Sequence, residues 1–483
     1  MRNNAQDRHQ ANRYAVHHLV LLMLLSGCTA HYPINHKILR VEPRSGYSID
    51  NPAPTTRSDS LLVMLAFSGG GTRAAAFAYG VLEKLAHSYI TWDGKRRRLL
   101  DEVDMISSVS GGSFTATYYG LFGERIFTEF EQKFLNKDVQ GALRARLLSP
   151  ASWPRLWSSV YHRSELAAAY YDEILFEGRT IGDIQARDGP FIIINATEIS
   201  LGGQFGFEQR QFDLLCSDAA RFPVSRAVAA SSAVPILFSP ITLQNFAGSC
   251  AHTLPEWATQ ALDKGDVSAR EYQPASRARA LLDREKMPFI HLLDGGLSDN
   301  LGIRPILDLV SISGGAWNAL KALGRPYTRR VVVIVVNAQT ATGHEEIGRR
   351  ERVPFTYSLQ SATSVPLNSY SFETLSLIRD LMNTWDEDIT IGRCWELAKQ
   401  GLDQTGCYDM DHFLIEVSFD QIPDEARRER LKRLPTSFQL PVESVDELRR
   451  TAAGILEQSA DFKHMLRDQI RAPARSIPSP PTR

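Results

Sequence analysis

An excess of charge of one sign is missing from this chain. Its 54 Lys and Arg stand against 55 Asp and Glu, a formal net charge of −1. No global basic field therefore points to nucleic acid. Cysteine is scarce, five in 483 residues, and no spacing among them resembles a zinc site. The Lys-Ser/Thr pair of a phosphate loop is absent, and so is the G-x-G-x-x-G of a dinucleotide fingerprint. No acidic loop has EF-hand spacing, so calcium dependence is not expected. No internal repeat is visible. What remains is ordinary globular composition, 43% hydrophobic and 23% charged. The length allows one large domain or two smaller ones.

The N-terminus reads as a targeting segment. Arg2, Arg8 and Arg13 form a positive stretch ahead of an apolar run, Ala15 to Leu25. That run is too short to cross a bilayer comfortably and reads as a signal peptide over residues 1–27. Leu25-Ser26-Gly27-Cys28 resembles a bacterial lipobox, which implies cleavage before Cys28 and lipid on its sulfur. Thr29 stands where inner-membrane lipoproteins often carry Asp, so the expected address is the outer membrane, facing the periplasm. A plain signal peptide or an uncleaved anchor are the alternatives. Four further cysteines are an even number for an oxidising compartment. The expected pairs are Cys216 with Cys250 and Cys394 with Cys407; four buried thiols are the alternative.

Residues 28–59 are rich in Pro, Ser, Asn and Arg and read as a tether. Residues 471–483 are Pro-rich and read as a disordered tail. Between them, LLVMLAF, FIIINATEI, FIHLLDGG, RRVVVIVVNA and HFLIEVSF are apolar runs of strand length. Near-continuous apolarity suits strands buried on both faces of a parallel sheet. RAAAFAYGVLEKLAHSY and RPILDLVSIS read as helices between them, giving an α/β fold with helices on both sides of the sheet. The expected main domain is 60–440, with a charged helical segment over 441–470. Lys95-Arg96-Arg97-Arg98 reads as a solvated loop that could touch anionic headgroups.

Four segments carry chemistry. Ser107-Ser108-Val109-Ser110-Gly111-Gly112-Ser113 follows an apolar run and opens a helical one. This is a nucleophile-elbow arrangement with Ser110 as nucleophile, although Ser108 replaces the elbow's first glycine. Ser68-Gly69-Gly70-Gly71-Thr72-Arg73 follows LLVMLAF and offers unobstructed backbone N–H groups at a helix start. Gly69, Gly70 and Gly71 are candidate oxyanion-hole donors. Asp294-Gly295-Gly296 puts a carboxylate on a tight turn; a capping Asp is the bland reading. The block from Ala229 to Pro235 alone indicates only packing.

Together and in this order, GGGTRAAAFAYGVLEKL, SSVSGGSF, VAASSAVPILFSP and DGGLSDNLGIRP resemble the patatin-like phospholipase family, over roughly Leu61 to Pro305. The departures are Ser108 and Ala74, where glycine is usual. The resemblance implies an α/β fold, a three-layer α/β/α sandwich with a mainly parallel central sheet. It implies a Ser–Asp dyad, with Ser110 as nucleophile and Asp294 as base. It implies a serine esterase acting on phospholipid or lysophospholipid acyl esters, and no cofactor. Arg73 would support the loop or meet a phosphate headgroup. Membrane lipids are the expected partners, as substrate and anchor surface, and nucleic acid is not; oligomeric state stays open. Two alternatives remain. A Ser–His–Asp triad would draw on His344 or His412 with Asp294. A catalytically lapsed lipid-binding lipoprotein is the other. Pocket shape is expected to come from segments 120–180, 245–285 and 340–410.

Overall fold

The apolar runs form strands whose two faces are both covered. In β1 (Leu61–Phe67), Leu61, Val63, Leu65 and Phe67 pack into one core layer. Leu62, Met64 and Ala66 pack into a second layer on the opposite face. That period of two is why no polar residue interrupts the run. The computed structural model describes residues 35–467, apart from 43–44, 50, 52–54, 154–160, 341–348, 350, 402–406 and 408–409. The expected signal peptide, Cys28, the tail 471–483 and His344 lie outside the described residues.

The remaining strands are β2 (Tyr89–Trp92), β3 (Lys95–Arg98), β4 (Val103–Val109), β5 (Phe191–Glu198), β6 (Gly203–Gly206), β7 (Ile241–Gln244), β8 (Phe289–Asp294), β9 (Arg330–Asn337) and β10 (Asp411–Ser418). Eight of them form one sheet in the order β10-β9-β1-β4-β5-β8-β7, with β6 also on β5. The strands from β10 to β5 in that order run parallel. β8 is antiparallel to β5, and β7 to β8. The sheet is thus mixed and mostly parallel.

The helices used below are α1 (Gly71–Ala86), α2 (Gly111–Phe122), α3 (Val224–Ser231), α4 (Glu256–Lys264), α5 (Tyr272–Leu281), α6 (Arg304–Ile312), α7 (Phe355–Lys399) and α8 (Val442–Gln458). α1, α2, α3 and α8 cover one face of the sheet; α6 and α7 cover the other. This is the expected three-layer α/β/α sandwich. Small residues make the first layer close. A Cβ on Gly80 of α1 would lie 2.2 Å from the Arg449 carbonyl oxygen of α8.

Several sequence expectations need correction. The described residues from 35 onward do not hang free as a tether. Tyr47 is 1% exposed, and its hydroxyl bonds the Ile192 backbone at 2.8 Å. A buried aromatic with a satisfied hydroxyl outweighs the polar composition around it. Lys95–Arg98 is not a loop but β3, paired with β2. Arg97 meets Glu102 and Arg98 meets Glu124, so neither guanidinium is held out for a headgroup. In the expected helical segment from 441, Leu448, Ala452 and Leu456 of α8 are buried in the main core. Most of 340–410 is the 45-residue helix α7, with Pro366 inside it. Cys216 is joined to Cys250, and Cys394 to Cys407.

Candidate active site

Sheet register brings the candidate residues to one edge. Asp294 ends β8 opposite Ala196 of β5, and the adjacent Asn195 pairs with Val109 of β4. Ser110 follows Val109 directly, so the serine and the carboxylate emerge at one level, at the C-terminal end of β4 and toward that of β5. Ligand sites of open α/β sheets lie there. The glycine loop leaves the C-terminal end of β1, the neighbour of β4.

Ser110 has φ 49° and ψ −117°, and it caps the N-terminus of α2. Positive φ is costly for any residue with a Cβ, by about 1–3 kcal/mol. The turn persists because its surroundings leave it no room to relax. The Ser110 N–H donates to Ser231 Oγ at 2.8 Å. Ser231 in turn donates to the Asn195 carbonyl at 2.6 Å. Gly111 and Gly112 must be bare: a Cβ on Gly111 would lie 2.1 Å from Gly71 O, and one on Gly112 2.8 Å from Ser68 O. Ser108, the odd residue at the elbow, is fully buried, and its hydroxyl donates to Ile193 O at 3.0 Å. A serine is accommodated because β5 supplies an acceptor for its hydroxyl.

Ser110 Oγ donates to Asp294 Oδ2 at 2.9 Å. The other carboxylate oxygen, Oδ1, accepts the Gly296 N–H at 2.8 Å. Thr197 Oγ donates to the Asp294 carbonyl at 2.8 Å and steadies the strand end. Ser110 is 4% and Asp294 8% exposed. Burial pushes the Asp294 carboxyl up to about 6, while the bonds from Gly296 and Ser110 pull the other way. The result is a carboxylate more basic than usual, aimed at a hydroxyl.

The glycine loop differs in one candidate donor from the sequence expectation. The Gly69 N–H is spent on the Asn300 carbonyl, at 3.0 Å. Gly69 therefore anchors the loop to the Asp294 turn and is not a donor. Gly70 and Gly71, at the N-terminus of α1, keep the role open, and the Gly111 N–H at the start of α2 joins them. The Gly111–Gly71 approach brings these two helix N-termini together. Two positive dipole ends beside Ser110 favour a negative oxygen there.

Arg73 is 2% exposed, with its guanidinium packed against Gly70 of the loop. It donates to Ala338 O at 2.9 Å, Leu434 O at 2.7 Å and Thr436 Oγ at 3.1 Å. Burial lowers its pKa to about 10. Held by these three bonds and buried, Arg73 supports the loop and is not presented to a headgroup.

The triad alternative finds no support in His412. Its Nδ1 lies 2.8 Å from Asp386 Oδ2. It stands beside Val331, which is level with Leu62 at the start of β1. At about 3.3 Å per residue, the elbow is roughly 20 Å further along the sheet. Ser231 and Asn300 are the positioning residues that motif reading passed over. Both lay in quoted blocks, but a serine among alanines and an asparagine after a turn carry no chemical signature alone. Among the described residues, no three His, Cys, Asp or Glu cluster so as to hold a metal.

The family model for patatin-like phospholipase matches residues 65–307. Among solved structures, human GIVD cytosolic phospholipase A2 is similar at 15% identity and TM-score 0.33, covering 57% of this chain and 45% of that one. The same human enzyme, with methyl gamma-linolenyl fluorophosphonate inhibitor and terbium chloride, is similar at 14% identity and TM-score 0.27, covering 57% and 41%. The chain thus spans less than half the length of those structures. No curated protein matches it. The family match takes in half of the chain and encloses the glycine loop, Ser110 and Asp294; the chain belongs to the patatin-like phospholipase family.

Proposed function

We propose that the protein is a serine esterase that hydrolyses acyl esters of phospholipids or lysophospholipids through a Ser110–Asp294 dyad. The observation that carries this reading is the 2.9 Å bond from Ser110 Oγ to Asp294 Oδ2, at a serine held in positive φ. Asp294 takes the Ser110 proton as Oγ bonds to the ester carbonyl carbon. The carbonyl oxygen becomes an oxyanion beside the Gly70, Gly71 and Gly111 N–H groups. The C–O bond to the leaving alcohol then breaks, and protonated Asp294 returns the proton to that alcohol. Water attacks the acyl-serine by the same route, freeing the fatty acid and restoring Ser110.

A lipid substrate fits the surface beside the dyad. Ala233 O accepts the Asp294 N–H at 3.0 Å. Three residues on, Ile236 and Leu237 are 60% and 64% exposed. Ile236 has φ 75°, a strained conformation for a β-branched residue. An exposed apolar turn beside a buried dyad supports docking against acyl chains. Lipidation at Cys28 and an outer-membrane, periplasm-facing location belong to the same proposal, since tethering raises local concentration at a bilayer.

The test is product analysis on defined phospholipids and lysophospholipids, with wild type beside Ser110→Ala and Asp294→Ala. Free fatty acid from wild type alone is expected. Equal release by all three would overturn the reading.

A further inference from the structure

Away from the dyad, β6, α5 and α6 enclose a cavity of about 290 Å³. Its lining includes none of Ser110, Asp294 or the glycine loop. Leu201, Phe205, Leu214, Trp257, Leu281 and Ile312 supply apolar wall. Two arginines come into this wall: Arg210, held by Glu208, and Arg277 of α5.

Arg277 lies flat across Gly203 of β6. A Cβ on Gly203 would fall 2.3 Å from Arg277 Cδ and 2.4 Å from its Nε. The bare glycine leaves room for the side chain there. Burial lowers the Arg277 pKa, and Asp308 and Glu198 act on it only through space. It makes no hydrogen bond or ion pair among the described residues.

The carboxylates around it are already engaged. Glu198 accepts the N–H groups of Ser200 and Leu201, at 2.9 and 2.7 Å. Glu208 is held by Arg210 at 2.9 Å, and Asp308 by Arg270 at 3.2 Å. Asp213 accepts from Gln209 at 2.8 Å. A guanidinium carries five donors in a planar fork that matches carboxylate and phosphate oxygens. Arg277 is half-buried and its free donors reach water, so a bidentate oxyanion entering the cavity would take them in water's place.

We propose that this cavity is a second binding site, for a single-chain amphiphilic anion. Its carboxylate or phosphate head is taken by Arg277, and its hydrocarbon tail lies against Phe205, Trp257 and Leu281. The volume is near the lower limit for ligand pockets, about 300–1,000 Å³, which suits a single hydrocarbon chain. The proposal concerns binding and stands apart from the esterase reading.

Isothermal titration of the full chain with decanoate, decyl phosphate and decanol, each below its micelle concentration, tests it. At least one anion is expected to bind saturably at one site, with decanol at least tenfold weaker. The tighter anion identifies the head group. Arg277→Gln is expected to weaken anion binding at least tenfold, with Arg277→Lys in between. Leu281→Trp, which fills the cavity, is expected to remove binding of all three. Unchanged thermal unfolding checks that each variant folds. No saturable anion binding to folded wild type, equal affinity for decanol, or unchanged affinity in Arg277→Gln would overturn the proposal.

Discussion

Asp294→Asn should stabilise the protein while stopping hydrolysis. Burial raises the Asp294 pKa from its ordinary 3.8 to about 6. The associated stability is fully present below pH 3.8 and is lost as pH rises through about 6. At about 1.4 kcal/mol per tenfold change in proton affinity, the ionised carboxylate costs about 3 kcal/mol at pH 8. Asparagine has the same shape and keeps both contacts, although the Ser110 hydroxyl hydrogen loses its acceptor. Its Oδ1 can accept the Gly296 N–H, and its Nδ2 can donate to Ser110 Oγ, the two bonds now made by the carboxylate. Urea unfolding of both proteins at pH 8 should therefore show the variant more stable by about 3 kcal/mol. The advantage should fade toward pH 4, where the wild-type carboxyl is protonated. Ester hydrolysis by the variant should fall by about 10²–10⁴-fold, the usual contribution of a general base. A variant no more stable than wild type at pH 8 would refute the claim that Asp294 is a desolvated carboxylate.

Three further outcomes follow from the same geometry. Gly111→Ala places a methyl 2.1 Å from Gly71 O, where only backbone could yield; steady-state kinetics should show a loss of about 10²-fold or more, the scale of one lost oxyanion donor. Arg73→Met strips three hydrogen bonds from a buried network; denaturant unfolding should show a loss of about 3 kcal/mol or more, and unchanged stability would contradict its supporting role. Ile236→Ser combined with Leu237→Ser should lower hydrolysis of vesicle phospholipid roughly tenfold, since two aliphatic side chains no longer meet acyl chains; turnover of a soluble short-chain ester should be unaffected.

Much of the strand framework was legible because two-sided burial writes itself as unbroken apolarity, as in LLVMLAF and RRVVVIVVNA. Ser110 and Asp294 were singled out by four blocks standing in family order, since each block alone has commoner meanings. The use of each N–H was not. Gly69 and Gly70 look alike in sequence, yet the Gly69 N–H is committed to Asn300 and only tertiary contact decides that. Arg73 could equally have faced outward, because a lone arginine carries no sign of burial. α7 was missed because Pro366 interrupts it and because its surface exposes Tyr370 and Phe372, which blurs helical periodicity. Lys95–Arg98 misled because four cations read as solvated, although an edge hairpin accommodates them by pairing Arg97 and Arg98.

The central claim is that Ser110 is a nucleophile activated by Asp294. A fluorophosphonate probe tests it directly, with the modified peptide located by mass spectrometry and the rate followed from pH 4 to 9. The account predicts one adduct, on Ser110. Its rate should fall below about pH 6 as Asp294 protonates, and labelling should be severely slowed in Asp294→Asn. No adduct on Ser110 in folded protein, or a rate indifferent to Asp294, would contradict it.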